Sequence, residues 1–287
     1  MRTIQGQLFL LTLLALITPS SHAQQPDNAS ADVEARAEEP TFTPFYAFAN
    51  YFSSGLYQGT GGQLTVFNIP IKVEPDQEGR NKYRLRLPIS LGFTDFQFDA
   101  DGVSIPDTVA TATVTAGIEF DHWVSDKLML RPFLDVGYSQ NFSGQSSSLI
   151  YAGGMSTFYY FQAAEEKQVM VTRFQRASFR TQGTLIVDGF SSIDSGIDWT
   201  LPFRYEMFEK PMYMSVYGRV YWYFLDQTST EISNDFGSIL DAQELGFTLG
   251  WIKPLDMLLF DLDRIGFGYR TGDGLTAWRL FFGFPLE

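Results

Sequence analysis

The sequence predicts an all-β chain: a single transmembrane antiparallel β-barrel of about twelve strands. Three observations carry that expectation. Residues 82–93 read KYRLRLPISLGF, with Tyr83, Leu85, Leu87, Ile89, Leu91 and Phe93 on one parity and Arg84, Arg86, Pro88, Ser90 and Gly92 on the other. A period of two is a strand with one apolar and one polar face. Its length suits a tilted crossing of a bilayer, and an aromatic sits near each end of the apolar face, where membrane interfaces favour such rings. The second observation is that this pattern recurs along the chain. The third is composition: aromatics make up 16% of the residues, with 27 Phe and 14 Tyr, and there is no Cys. Without disulfides a secreted chain needs another source of stability, and a closed barrel has one, because every backbone hydrogen bond is satisfied internally.

Residues 1–23 read as a signal peptide. Arg2 gives the positive start, residues 8–17 form a short apolar run, Pro19 breaks it, and Ser21-His22-Ala23 predicts cleavage after Ala23. The run is too short for a spanning helix. Residues 24–41 are acidic, polar and free of aromatics, and read as a flexible linker. The barrel is expected over residues 42–287.

Twelve strands are expected, at 42–52, 63–73, 82–93, 108–120, 127–138, 148–161, 169–180, 193–205, 212–224, 239–252, 258–270 and 276–284. An even number suits bacterial outer-membrane barrels. In 108–120, Ala110, Ala112, Val114, Ala116, Ile118 and Phe120 oppose Thr111, Thr113, Thr115, Gly117 and Glu119. In 127–138, Leu128, Leu130, Leu134, Val136 and Tyr138 oppose Lys127, Arg131, Asp135 and Gly137. In 193–205, Ile193, Ile197, Trp199, Leu201 and Phe203 oppose Asp194, Asp198, Thr200 and Arg204. Parity slips within 169–190, where Arg173 and Gln175 fall on one face and Arg176, Ser178 and Arg180 on the other, so a bulge or a bend is expected there. The connections 121–126, 207–211 and 253–257 are short, whereas 94–107 and 225–238 are longer and polar. Short turns at one end and long loops at the other is the outer-membrane arrangement, with the long loops outside.

The last expected strand, TAWRLFFGF, places Trp278, Leu280, Phe282 and Phe284 on one face, and looks like the terminal strand that the outer-membrane barrel-insertion machinery recognises. Residues 118–139, IEFDHWVSDKLMLRPFLDVGYS, are similar to a strand–turn–strand of autotransporter translocator barrels. Together these segments resemble a solitary autotransporter-type β-barrel, one without a passenger. The resemblance implies a twelve-stranded barrel in the bacterial outer membrane and no reaction. Two departures accompany it: Pro285, Leu286 and Glu287 follow Phe284, and the linker is too short for a passenger domain.

The inward faces are expected to carry Arg84, Arg86, Glu119, Arg131, Asp135, Asp198, Arg204, Arg219, Glu244, Arg264 and Arg279. They fit either an ion-selective pore lining or a lumen filled by paired charges. His122, the only histidine besides His22, falls at a strand end beside Trp123 and reads as an interfacial residue rather than a hydrolase base. The acidic groups Asp95, Asp99, Asp101 and Asp107, and Asp226, Glu231 and Asp235, match no EF-hand spacing and read as solvated loop surface rather than a cation site. No metal or cofactor site is expected. A net charge of −13 disfavours nucleic acid as a partner. The expected partners are outer-membrane lipid and lipopolysaccharide, and the insertion machinery; the sequence does not specify an oligomeric state. The expected role is a non-enzymatic outer-membrane barrel, structural or weakly pore-forming. The alternatives are a narrow solute channel and an outer-membrane hydrolase.

Overall fold

The structure is a computed structural model. It describes residues 51, 54–59, 62–75, 77–93, 97–99, 102–104, 110–142, 146–162, 165–182, 187–207, 210–225, 239–256, 261–272 and 275–286.

A single antiparallel sheet closes on itself. Its fourteen strand segments make twelve staves, because two staves are each interrupted once at a proline. We label the staves β1 (Gly55–Gly59), β2 (Gly62–Ile69, resuming at Lys72–Val73), β3 (Lys82–Arg86, resuming at Ile89–Phe93) and β4 (Thr111–Trp123). They continue as β5 (Leu128–Asn141), β6 (Ser146–Gln162), β7 (Glu165–Thr181), β8 (Val187–Met207), β9 (Lys210–Leu225), β10 (Ile239–Asp256), β11 (Asp261–Gly272) and β12 (Leu275–Phe282). Pro70 and Pro88 mark the two interruptions, as expected of a residue that cannot donate to the ladder. Each stave pairs with its sequence neighbours, and β1 closes the circle on β12, from Gly55↔Arg279 to Gly59↔Leu275. The Leu280 N–H donates to the Ser54 carbonyl at 3.0 Å, extending that seam by one bond. A small hairpin, Gln97–Asp99 with Gly102–Ser104, stands in the connection between β3 and β4.

The ends of the barrel differ. The end where β4 begins and β9 finishes is called here the loop end. The turn at 124–127 and the exit of β12 lie at the other, the tail end. Faces alternate as the parity predicts. Leu134 is 68% exposed and Val136 62%, while Asp135 between them is 2% exposed. A contiguous belt of exposed Leu, Val, Ile, Phe, Tyr and Trp is costly in water and natural in lipid.

Three expectations are corrected. The stave that closes on β12 is β1, Gly55–Gly59, rather than 42–52; Tyr51 is outside any strand, and the rest of 42–52 lies outside the described residues. Within 169–180 β7 carries no bulge: its register against β8 runs without a shift from Gln168↔Trp199 to Arg180↔Val187, and its shift against β6 falls before that stretch, between the pairs Tyr160↔Val169 and Gln162↔Glu165. The apparent slip arises because Arg173 faces inward while Arg176 and Arg180 face outward on an unbroken strand. Irregularities occur instead between Thr200 and Arg204, where Pro202 stands, and between Gly250 and Leu255, where Pro254 stands. Finally, β12 ends at Phe282. Gly283 has φ +108°, a left-handed conformation that suits glycine, and it turns the chain inward, so Phe284 leaves the outward row of Trp278, Leu280 and Phe282.

Candidate functional site

The functional question concerns the lumen, because the inward faces of the staves meet there. Two apolar clusters fill much of it. Toward the loop end, Tyr57, Val66, Ile150, Phe179, Phe190 and Tyr223 pack together, with Tyr51 against them. Toward the tail end the cluster includes Met129, Phe158, Val171, Tyr217, Phe281 and Leu286. The inward face is therefore aromatic and aliphatic as well as charged.

Charges are interlocked between these clusters. Glu244 on β10 is the acceptor of one network. Its Oε1 accepts from the Tyr217 hydroxyl at 2.7 Å. Its Oε2 accepts from the Tyr221 hydroxyl at 2.8 Å, from Arg270 Nε at 2.9 Å and from Arg279 Nη1. Arg270 also donates to the Tyr223 hydroxyl at 2.9 Å and lies over the Tyr221 ring at 3.7 Å. Four staves thereby converge on one carboxylate. Beside them, Arg219 Nε donates to Asp194 Oδ1 at 2.8 Å. Arg264 Nη1 donates to Asp198 Oδ2 at 2.8 Å, and the Ser215 hydroxyl donates to Asp198 Oδ1 at 2.6 Å. Such groups are tolerable in a low-dielectric interior only when paired and hydrogen-bonded, and here they are.

A third group belongs to β3, β4 and β5. Arg84 Nε donates to Glu119 at 2.7 Å, and Arg84 Nη2 to Asp121 at 2.8 Å. Arg131 also donates to Asp121, with Nη2 at 3.2 Å from Oδ2. Arg86 is held less tightly, 3.7 Å from Glu119 and 3.6 Å from Asp135. The guanidiniums of Arg86 and Arg173 both lie over the Phe133 ring, at 4.8 and 4.9 Å. Here lies a cavity of about 490 Å³, lined by Tyr51, Lys72, Arg86, Arg131, Arg173 and Phe284 among others. Tyr51 Oη, Arg173 Nε and both Asp135 carboxylate oxygens have no hydrogen-bond partner among the described residues. The cavity is polar and roomy enough for water to serve such groups.

The segment after β12 packs back into the lumen. The Phe284 ring packs on Phe158 at 6.2 Å and lies beneath the Arg264 guanidinium at 5.0 Å. The Pro285 carbonyl accepts from Arg219 Nη1 at 3.2 Å. Leu286 is 1% exposed and fits over Gly196, where an added Cβ would lie 2.7 Å from its Cδ2.

Arg84, Arg86, Glu119, Arg131, Asp135, Asp198, Arg219, Glu244, Arg264 and Arg279 all lie on the inward face. The side chain of Arg204 lies outside the described residues, as do Asp95, Asp101, Asp107, Asp226, Glu231, Asp235 and the side chain of Asp99. The inward groups that sequence reasoning did not place in the lumen are Lys72, Asp121, Arg173, Asp194 and Arg270. Arg270 shares the parity of Arg264, and Asp194 that of Asp198, so the signal was present for both. Asp121 was assigned to a turn because β4 runs on to Trp123. His122 is exposed on the outward face near the tail end, its ring stacked on Phe120 at 6.2 Å.

Close packing of the inward face yields a prediction. A Cβ on Gly117 would lie 1.8 Å from Asp135 Oδ1 and 2.5 Å from the Leu134 carbonyl. Gly117→Ala is therefore expected to destabilise the barrel by about 1–3 kcal/mol, as overpacking does. The check is the urea midpoint of the refolded barrel, and an unchanged midpoint would contradict the packing described.

No protein-family model matches the sequence, and no curated protein matches it. Among solved structures the chain is similar in fold to the β domain of the Bordetella autotransporter BrkA. That likeness has a TM-score of 0.44 at 11% identity, over 79% of this chain and 93% of that one. It is also similar to LpxR from Salmonella typhimurium, with a TM-score of 0.39 at 10% identity, over 83% of this chain and 93% of that one.

Proposed function

We propose that the chain is a non-enzymatic integral outer-membrane barrel whose resting lumen is filled rather than open. The observation that carries this reading is the continuity of inward contacts. The Glu244 network, the Arg219–Asp194 and Arg264–Asp198 pairs and the buried Leu286 fill the interior, and each of these charges is spent on a partner across the barrel. The membrane location follows from the outward belt, since exposed Leu134, Val136, Phe174 and Trp222 require an apolar solvent. His122 faces outward, away from the inward acids, and so does not form an acid–base pair with them. With the N-terminal side of β1 in the periplasm, the loop end faces outside.

The test has two parts. Chain recovered from the outer-membrane fraction is expected to migrate faster unheated than boiled on a denaturing gel; recovery from the soluble periplasm would refute the location. Purified barrel in a planar bilayer is expected to give no sustained stepwise current. Steady, voltage-independent steps from the intact chain would replace this reading with a narrow channel, for which the 490 Å³ cavity would be the vestibule.

A further inference from the structure

We infer that the lumen cavity binds a small phosphate ester, its phosphoryl group held between Arg86 and Arg173. Two glycines build the site. On β3, Arg86 stands opposite Gly117 of β4, and Gly117 opposite Asp135 of β5. With no side chain at Gly117, the Asp135 carboxylate lies against that backbone and behind Arg86, 3.6 Å from it. On β5, Phe133 stands opposite Gly154 of β6, where an added Cβ would lie 2.7 Å from the ring's Cε1. The ring therefore lies over the glycine. Arg86 from β3 and Arg173 from β7 both stack on it, at 4.8 and 4.9 Å. Stacking on an aromatic face holds a guanidinium in place while leaving its N–H fork unspent.

These two cations differ from the others in the lumen. Arg84, Arg219, Arg264, Arg270 and Arg279 each donate a hydrogen bond to a carboxylate. Arg86 has only the looser approaches of Glu119 and Asp135, and neither Asp135 oxygen accepts a hydrogen bond among the described residues. Arg173 has no ion-pair partner among the described residues, and its Nε has no hydrogen-bond partner there. A guanidinium inside the lumen without an anion is costly. Both arginines line the same 490 Å³ cavity, as does the Tyr51 hydroxyl, which also lacks a partner among the described residues. Of the acids on the cavity wall, Glu74 is drawn to Lys82 and Glu119 to Arg84, each at 2.7 Å. Asp263 stands on β11, away from the β3–β7 wall that carries both arginines. A carboxylate offers one edge, which a single fork uses up. A tetrahedral phosphate has oxygens for two forks and a hydroxyl donor at once. The volume exceeds what a phosphate ion fills, and Phe281 and Phe284 on the wall suit an organic group.

The test is equilibrium dialysis of labelled sn-glycerol 3-phosphate against the full chain in detergent micelles. The barrel is refolded with the ester present, so that access to the lumen does not limit binding. Saturable binding is expected, with competition by unlabelled inorganic phosphate and none by glycerol or succinate. Arg173→Gln is expected to weaken binding roughly tenfold or more, and Arg173→Lys to weaken it less, because the charge stays while the fork is lost. Removing Arg173 strands no ion-paired carboxylate, so the variant is expected to keep heat-modifiable migration. Should it lose that migration, Arg86→Gln is read in its place, with the same weakening expected. Absence of saturable binding by the wild-type chain would overturn the inference. So would competition by succinate equal to that by phosphate, or an unchanged affinity in the folded glutamine variant. None of these outcomes depends on current recordings: failure here leaves the filled-lumen reading standing, and a conducting barrel leaves this site standing.

Discussion

Replacing Glu244 with glutamine is expected to cost the barrel about 3–5 kcal/mol, the usual penalty for breaking a buried ion pair from one side. Glu244 is 1% exposed and takes hydrogen bonds from Tyr217, Tyr221, Arg270 and Arg279, which come from β9, β11 and β12. Removing the charge leaves two buried guanidiniums facing each other with no anion between them. Glutamine preserves the shape, so the loss reports charge rather than volume. Its amide also turns a donor toward groups that are themselves donors. The measurement is the urea midpoint of the barrel refolded in vesicles, at unchanged slope so that the midpoint reports stability alone. A double variant, Glu244→Gln with Arg279→Gln, is expected to lose less than the sum of the two single losses, because it removes one of the stranded cations with the anion. A Glu244→Gln barrel with wild-type stability, or strict additivity in the cycle, would mean that the network stabilises little.

The place of this network was legible in the sequence, and its connectivity was not. Glu244 and Arg279 fall on the inward parity of strongly alternating staves, and parity alone aims them at the lumen. The tyrosines of the network, Tyr217 and Tyr221 on Glu244 and Tyr223 on Arg270, come from β9, whose other face carries Val216, Val220, Trp222 and Phe224. Arg219, expected inward, shares their parity, but a stave that is aromatic or aliphatic on both faces gives no sign that those hydroxyls would meet Glu244 and Arg270. The opening stave was misplaced for a related reason. Gly55–Gly59 reads GLYQG, too short and too rich in glycine to show alternation, yet closure against β12 requires it. Residues 169–180 misled in the opposite way. Three arginines on both parities suggested a broken strand, whereas an unbroken strand sends Arg173 into the lumen and Arg176 and Arg180 outward.

Truncation after Gly283 is expected to turn a silent barrel into a conducting one. Phe284, Pro285 and Leu286 occupy the lumen toward the tail end, and the contacts holding them are few: one hydrogen bond from Arg219, ring contacts with Phe158 and Arg264, and the burial of Leu286. Burial of one leucine contributes about 2 kcal/mol and a single net hydrogen bond about 1 kcal/mol. A segment held this weakly can leave without unfolding the wall, whose staves are joined by continuous ladders. Its removal joins the 490 Å³ cavity to the space over Gly196. Trp278, Leu280 and Phe282 remain as the outward row of β12, so the truncated chain retains an aromatic ending for membrane insertion. The expected readout is the appearance of discrete current steps in planar bilayers, with heat-modifiable migration preserved. Gly283→Val is expected to act in the same direction, because a β-branched residue at φ +108° is strained by at least about 1–2 kcal/mol and favours an extended exit over the inward turn. A truncated barrel that inserts and stays silent would transfer the seal from Leu286 to the layer above it, where Tyr217 and Glu244 meet.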